Sequence, residues 1–285
     1  MEPRDHALFN AALPGLPEMS GLRSRLSNSV RQILSSKSDK PAAPSSSCPP
    51  TVTIPLYIYP APGAWDPLHT AIANNPSISF HIIINPNNGP GAAVPDANYI
   101  AEVARLNSQA NTTLFGYVHV TWGRRALQDV LADISTWSAW AGFPDADIHV
   151  DGIFVDEAPS DTAYFGYMRD ARRHATQAFA DKKALVWTNP GVPVDAAFYA
   201  EADLVNSCEN DYRTWSSQQD TAATPDVLRA KSTIMLHNYH GSPAQLRNDA
   251  DRLRRAGYRA FLISTDSNYT SFSRMWKEYV ATMVT

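Results

Sequence analysis

From residue 51 to residue 285, short apolar runs alternate with segments in which apolar residues recur at helical spacing. Eight of these runs are rich in β-branched and aromatic residues without polar alternation, as in strands buried on both faces. The predicted strands are Thr51–Tyr57, Phe80–Ile84, Thr113–Val118, Val150–Val155, Ala184–Thr188, Ala202–Asn206, Thr233–His237 and Ala260–Ile263. Between them, Asp66, Asp96 and Ser242 are predicted helix N-caps, with Pro67 and Pro243 at the first helical position, and Gly257 marks a predicted C-terminus.

This strand-then-helix order predicts an α/β fold, the (β/α)8 TIM barrel. Residues 51–285 hold eight such units, and a barrel of this kind takes about 250 residues. A doubly wound sheet is the competing architecture, but no Gly-x-Gly-x-x-Gly motif follows the first predicted strand. The sequence therefore predicts a single barrel domain, which carries the candidate chemistry, behind a flexible N-terminal tail.

Residues 1–50 lack this pattern and are predicted to form a largely disordered tail and linker. Residues 35–50 contain six Ser and four Pro, a composition that buries no apolar face. Residues 20–34 place apolar side chains at helical spacing beside arginines. One interpretation is a basic amphipathic helix in weak contact with a membrane. The other is a partly ordered tail, which the marginal stability of short isolated helices favours.

Composition and charge narrow the class of protein. With 44% apolar and 18% charged residues, the chain can build a large core, which excludes an intrinsically disordered protein. The net charge of -4 argues against a nucleic-acid partner. The two cysteines make no disulfide framework, and no Cys or His residues stand at zinc-ligand spacing, so we predict no metal and no cofactor. We also predict no signal peptide and no transmembrane anchor, because long apolar stretches are missing.

Carboxylates follow two of the predicted strands at the end where TIM barrels place their active sites. Asp156 and Glu157 come directly after the fourth strand, and Glu209 follows the sixth. Neighbouring residues of a strand face opposite sides, so one of the two adjacent acids is expected to face the barrel axis. Carboxyl groups about 5 to 5.5 Å apart suit a retaining glycosidase, and groups about 6.5 to 9.5 Å apart suit an inverting one. A salt bridge or a helix cap is the alternative role for these acids.

Further polar and aromatic residues follow the other strands, and together they predict a groove of the kind that binds sugars. The substrate-binding candidates are Tyr59, Asn85, Tyr117, His119, Trp122, Trp187, Asn189, Tyr212, His237, Tyr239 and Asp266. Two alternatives stay open. The histidines are candidate metal ligands, although their spacing does not favour a metal site. Each aromatic residue is equally a candidate for the core.

Several stretches of the chain also carry a resemblance to a known family. They are Ile54-Pro-Leu-Tyr-Ile-Tyr-Pro60, Ile84-Asn-Pro-Asn-Asn-Gly-Pro90, Leu114-Phe-Gly-Tyr-Val118, Val150-Asp-Gly-Ile-Phe-Val-Asp-Glu157 and Asn206-Ser-Cys-Glu209. In this order and spacing, residues 51–285 resemble the spherulin 4-like proteins of fungi and bacteria, the spherulation-specific family 4. The resemblance implies a barrel glycoside hydrolase that acts inside α-1,4-linked N-acetylgalactosamine stretches of galactosaminogalactan, a mould exopolysaccharide. It also implies that the catalytic acids are Asp156, Glu157 and Glu209.

The implied linkage constrains the mechanism. In an α-linked N-acetylgalactosamine the 2-acetamido group lies cis to the leaving oxygen, so it cannot attack C1 from the opposite face. A retaining enzyme then needs a carboxylate nucleophile of its own. Our hypothesis assigns this role to Asp156, general acid/base catalysis to Glu209, and a tuning or orienting role to Glu157. Exchanged roles of Glu157 and Glu209 stay open.

Two other functions remain open at this point. One is a non-catalytic carbohydrate-binding or spore-coat barrel, and the other is a hydrolase of deacetylated polygalactosamine, a cation that suits the mildly acidic barrel region. A polysaccharide is the expected partner, and no obligate protein partner is evident. The resemblance implies an extracellular or cell-wall location, whereas the missing signal peptide and anchor leave an intracellular location as the alternative.

Overall fold

Eight parallel strands close into a barrel in which each strand pairs with the next and β8 pairs with β1. This computed structural model describes residues 51–179, 183–218, 224–258 and 260–284. The strands are β1 Thr51–Leu56, β2 Ser79–Ile84, β3 Thr112–His119, β4 Gly152–Asp156, β5 Leu185–Thr188, β6 Leu204–Asp211, β7 Ser232–His237 and β8 Ala260–Ile263. The predicted (β/α)8 TIM barrel is confirmed.

Helices connect most of the strands. Over the described residues they are α1 Asp66–Asn74, α2 Ala97–Asn107, α3 Leu127–Ala139, α4 Phe165–Ala178, α5 Tyr212–Gln218, α6 Asp226–Arg229, α7 Pro243–Arg255 and α8 Trp276–Thr282. Between β5 and β6 the chain forms a 3₁₀ turn, Ala196–Ala200, in place of an α-helix. Pro190, Gly191 and Pro193 precede this turn, and both residue types disfavour the interior of an α-helix.

The predicted helix boundaries are confirmed at α2 and α7. The Asp96 carboxylate accepts hydrogen bonds from two backbone N–H groups of the first turn of α2, and the Ser242 hydroxyl accepts one at α7. Gly257, after α7, has a φ of 91°. The prediction of Asp66 as an N-cap is wrong, because Trp65 holds that position and Asp66 lies within the first turn. Trp65 is buried, and its indole N–H donates to the Ile58 carbonyl over 2.9 Å, which fixes where the helix begins.

The interior of the barrel is filled by layers of side chains from alternate strand positions, as in other TIM barrels. In one layer the Trp187 ring lies 5.3 Å from Phe115 and 5.0 Å from Phe154. It also lies 6.1 Å from the ring of His81, which comes from β2 on the far side of the intervening strands. Trp187, which we predicted to bind substrate, is therefore fully buried in the core.

The next layer lies two positions further along the same strands. It contains Tyr117 of β3, Asp156 of β4 and Asn189, which directly follows β5. Residues two apart on a strand face the same side of a sheet, so these side chains also point into the barrel. They lie at the carboxyl ends of the strands, and this layer forms the floor of the candidate site.

The predicted tail over residues 1–50, including the membrane contact of residues 20–34, lies outside the described residues. Within the described ranges, no helix has both the length and the apolar character needed to cross a membrane.

Candidate active site

Two carboxylates at the mouth of the barrel are joined by one amide. The Asn189 side-chain nitrogen donates to Asp156 Oδ1 over 2.8 Å and to Glu209 Oε2 over 2.6 Å. Because both oxygens bond to the same nitrogen, they lie no more than 5.4 Å apart. The structure thus brings together two of the three predicted catalytic acids, and this pair of oxygens lies closer than the about 6.5 to 9.5 Å typical of inverting glycosidases.

The second oxygen of each carboxylate accepts a hydrogen bond from a tyrosine. Tyr117 donates its hydroxyl to Asp156 Oδ2 over 2.7 Å, and Tyr269 donates to Glu209 Oε1 over 2.9 Å. The ring of Tyr57 packs edge-on against both tyrosines, with centroids 5.6 and 5.9 Å away. Three aromatic rings therefore surround the pair, and two of their hydroxyls stabilise the charge of the carboxylates.

Burial dominates the protonation of the pair. It raises the pKa of Glu209 to about 7, and the nearby charge of Asp156 contributes to the same shift. Burial also raises the pKa of Asp156, against the hydrogen bonds from Tyr117, the Glu157 backbone and Asn189, which favour the ionised form. Two carboxylates this close favour a state that holds one proton. Burial keeps the pKa of Tyr57 and Tyr269 above the usual value, so their hydroxyls stay protonated.

Glu157, the third predicted acid, has a different environment. Asp156 is the last residue of β4, and Glu157 leaves the strand with a φ of 53°. Its carbonyl accepts a hydrogen bond of 2.7 Å from the backbone N–H of Trp122. The half-buried Glu157 side chain is outside the amide-bridged pair.

Strand β6 extends further than predicted and carries Glu209 within it. The sequence predicts a strand ending at Asn206, whereas β6 runs to Asp211. Its register against β7 shifts between Asn206 and Cys208, and such a bulge re-aims the side chains that follow it. The backbone N–H of Glu209 donates to the Gly191 carbonyl over 3.0 Å, which ties β6 to the loop that carries Asn189.

Two exposed aromatic side chains lie on loops after the strands. Tyr59 is 52% exposed, and its hydroxyl donates to Asp96 and accepts a hydrogen bond from Asn98. Trp122 is 46% exposed and belongs to a turn in which Thr121, Trp122 and Gly123 all have positive φ. Left-handed backbone is costly for a β-branched residue such as Thr121, and conformations of this kind cluster at functional sites.

Other predicted binding residues also lie at the carboxyl ends of the strands. His119 ends β3 and contacts Asn88, and Asn85 follows β2 and accepts a hydrogen bond from the Gly89 backbone. His237 ends β7, and burial lowers its pKa. Asp266 follows β8, and its carboxylate accepts a hydrogen bond from the Ser271 hydroxyl.

Tyr212 and Tyr239, which we predicted to bind substrate, do not present open ring faces to a groove. Both are buried, 3% and 2% exposed, and their rings pack against each other with centroids 4.4 Å apart. Both hydroxyls donate to Asp249 of α7. The two rings are covered by each other and by neighbouring elements, so they connect α5 with α7 rather than line a groove.

Three residues of the site were not among the predicted ones: Tyr57, Tyr269 and Asn206. Tyr57 directly follows β1, and a position at the carboxyl end of a barrel strand is itself an indication of a site residue. Asn206 donates to the Asn189 side-chain oxygen over 2.8 Å, whereas the sequence pattern predicts only that it ends a strand. Tyr269 lies in the loop after β8 and donates its hydroxyl to Glu209, a contact that no local sequence pattern predicts. Over the described parts of the chain, no cluster of three or more His, Cys, Asp or Glu side chains is placed to hold a metal ion.

Fold and site together define a (β/α)8 barrel protein with a bridged carboxylate pair at the carboxyl ends of its strands. The family model of the spherulation-specific family 4 matches residues 51–283, and the chain belongs to this family. Spherulin-4 of Physarum polycephalum is 30% identical over 202 residues, which cover 68% of this chain. The matched region spans only 57% of the length of that relative.

Solved structures show the same architecture. The structure of Aspergillus clavatus Sph3 in complex with GalNAc matches with a TM-score of 0.76 and 32% identity, over 83% of this chain and 98% of that one. A chitinase from Chromobacterium violaceum matches with a TM-score of 0.52 and 11% identity, over 84% of this chain and 100% of that one. The second likeness concerns the fold alone.

Proposed function

We propose that this protein is a glycoside hydrolase that cleaves α-1,4-linked N-acetylgalactosamine within galactosaminogalactan-type exopolysaccharide. The amide-bridged pair of Asp156 and Glu209 is the observation that carries the proposal, because hydrolysis of a glycosidic bond needs two carboxyl groups on either side of it. The likeness to Sph3, a protein solved with bound GalNAc, supports a carbohydrate-active protein and this sugar in particular. Such a substrate implies action outside the cell or at its wall.

Asp156 has the properties of the nucleophile. Three donors, the Tyr117 hydroxyl, the Asn189 amide and the Glu157 backbone N–H, stabilise its ionised form. In the first step the Asp156 carboxylate attacks C1 from the face opposite the leaving oxygen and forms a glycosyl-enzyme ester. The protein has to supply this nucleophile, because the 2-acetamido group of an α-linked sugar lies on the same face as the leaving group.

Glu209 has the properties of the general acid and base. Its pKa of about 7 keeps it protonated in mildly acidic solution and protonated in a large fraction of molecules near neutral pH. It gives this proton to the glycosidic oxygen as the bond to C1 breaks. In the second step the Glu209 carboxylate takes a proton from a water molecule, which attacks C1, releases Asp156 and restores the starting state. Glu157, next to the nucleophile, orients the sugar at the cleavage point.

Residues around the pair complete the proposed groove. The exposed rings of Tyr59 and Trp122 offer apolar faces against which pyranose rings stack. Polar side chains hold the sugar hydroxyl groups at the ends of the strands. We assign that role to Asn85, His119, His237 and Asp266.

The test is incubation of the purified protein with acetylated and with deacetylated galactosamine polymer, followed by mass spectrometry of the soluble products. The proposal expects oligosaccharides from the acetylated polymer with the parent protein and none with Asp156→Asn. Release from the deacetylated polymer alone would identify a different hydrolase. Binding without release of oligosaccharides would identify a non-catalytic carbohydrate-binding barrel.

A further inference from the structure

The Asn189 amide is held by a chain of buried polar groups that begins in the barrel core. Asn206 Nδ2 donates to Asn189 Oδ1 over 2.8 Å, and Thr233 Oγ1 donates to Asn206 Oδ1 over 3.0 Å. The indole N–H of Trp187 donates in turn to Thr233 Oγ1 over 3.1 Å. Trp187, Asn206 and Thr233 are all 0% exposed, so bulk water does not compete for these hydrogen bonds.

Only one direction of hydrogen bonding satisfies every donor and acceptor in this chain of buried polar groups. At one end, the Trp187 indole is a donor without acceptor capacity, and at the other end an ionised carboxylate only accepts. Thr233 must therefore accept from Trp187 and donate onward. Asn206 and Asn189 must each turn the amide oxygen towards the core and the nitrogen towards the mouth. An amide reversed at either residue would place two acceptors against each other.

We infer that Thr233 and Asn206 are positioning residues, which fix the orientation of the Asn189 amide and so keep its nitrogen aimed at both carboxylates. Trp187 is the first donor of this chain of buried polar groups, because its indole N–H donates to the hydroxyl oxygen of Thr233. The hydrogens of the Asn189 amide then have no alternative acceptor in the core. This inference deepens the proposed function and depends on it for its kinetic readout.

A misplaced Asn189 amide would change the protonation of the site. Its hydrogen bonds favour the ionised forms of Asp156 and Glu209 and hold both pKa values down against the effect of burial. If the amide rotated, its oxygen would face the carboxylates and their pKa values would rise. The positioning role therefore has a signature that a change in global stability alone does not produce.

The deciding substitution is Thr233→Val, which removes the hydroxyl and keeps the shape. A matched control is Thr53→Val, because Thr53 is also a fully buried strand residue and its hydroxyl has no hydrogen-bond partner among the described residues. Thr233→Ser restores the hydroxyl. Thr233→Ala is a second variant in case the apolar methyl group disturbs folding.

The measurements are NMR titration of the ¹³C-labelled side-chain carboxyls of Asp156 and Glu209, and the pH profile of polymer cleavage. We expect Thr233→Val and Thr233→Ala to raise both carboxyl pKa values by about 0.4 to 1 unit, the size of one lost hydrogen bond. Both limbs of the pH profile should move upwards with them. Thr53→Val and Thr233→Ser should keep the parental values.

Unchanged pKa values in a folded Thr233→Val protein would overturn the inference, even if its melting temperature falls. An equal pKa shift in Thr53→Val would overturn the inference as well, because Thr53 does not belong to the chain of buried polar groups. If the parent protein cleaves no galactosamine polymer, the proposed function fails. The carboxyl titrations still decide whether the chain of buried polar groups positions the Asn189 amide against Asp156 and Glu209.

Discussion

Asp156 and Glu209 accept hydrogen bonds from the same side-chain nitrogen, that of Asn189, although they come from the different strands β4 and β6. One amide therefore sets the separation of the two carboxylates and also the coupling of their charges. The negative charge of Asp156 raises the pKa of Glu209, so the pair favours a state with one proton. In the proposed mechanism, that state supplies an ionised nucleophile and a proton donor at the same time.

Replacing either acid by its amide should remove most of the activity. We expect Asp156→Asn and Glu209→Gln each to lower kcat at least about 100-fold, because one loses the nucleophile and the other loses proton transfer. Glu278→Gln, at an exposed position on α8, should match the parent protein and serves as the control. Steady-state kinetics on acetylated oligosaccharides measures these effects, and full activity of Glu209→Gln would remove Glu209 from the mechanism.

The pH dependence of cleavage should be bell-shaped. Glu209 has to be protonated to act as the acid, so activity should fall as the pH rises through its pKa of about 7. Asp156 has to be ionised, so activity should also fall as the pH drops through its pKa, which burial raises above the usual value of an aspartate. Rates measured under conditions of low substrate report these values for the free protein. Activity that stays constant well above pH 7 would contradict the role of Glu209.

We expect the Tyr57 hydroxyl to contact the substrate. Its ring lies between the two tyrosines that bond the carboxylates, yet no hydrogen bond from this hydroxyl to a described residue is present. We expect Tyr57→Phe to weaken oligosaccharide binding about threefold to tenfold, the worth of one hydrogen bond, without a change in melting temperature. Calorimetric titration into a Glu209→Gln background measures the binding without cleavage.

The control for Tyr57 is Tyr199→Phe. Tyr199 shares a hydrogen bond with Ser232, the first residue of β7, and so lies at the opposite end of the barrel from the site. Its loss should lower stability and leave oligosaccharide binding unchanged. Equal affinity of the parent and Tyr57→Phe proteins would show that Tyr57 only supports its neighbouring rings.

Trp122 should contribute to binding rather than to chemistry. Loss of its ring in Trp122→Ala should raise KM about threefold to tenfold and leave kcat close to the parental value. Trp122→Gly relieves the left-handed backbone at φ 53° and should show the same change in KM, because the effect follows the ring and not the strain. Val227→Ala, at an 82% exposed position on α6, is the control. A fall in kcat with constant KM would contradict this role.

The barrel was predictable from sequence because strands buried on both faces read as apolar runs, and the acids that follow them have to meet at one end. Depth inside the barrel was not predictable. Trp187 and Asn189 are two residues apart and face the same side, but one lies in the core and the other in the site. Alternation along a strand gives the side that a residue faces and does not give its layer.

The contacts between segments that are distant in the sequence could not be predicted from local residue patterns either. Tyr269 reaches Glu209 from a loop with no periodic pattern, and the bulge in β6 that re-aims Glu209 has no residue signal of its own. Tyr212 and Tyr239 have the composition of a sugar platform, but they cover each other. Such outcomes depend on how elements pack, which local residue patterns do not contain.

The stereochemistry of the first product tests the central claim most directly. Two carboxyl oxygens no more than 5.4 Å apart favour the retaining mechanism, in which the proposed nucleophile Asp156 attacks C1 directly. Proton NMR of the anomeric region, recorded from the start of cleavage of an α-1,4-linked N-acetylgalactosamine oligosaccharide, distinguishes the two reactions. We expect new reducing ends to appear first in the α configuration and to convert slowly to the β form. Reducing ends that appear first in the β configuration would contradict a nucleophilic Asp156 paired with Glu209.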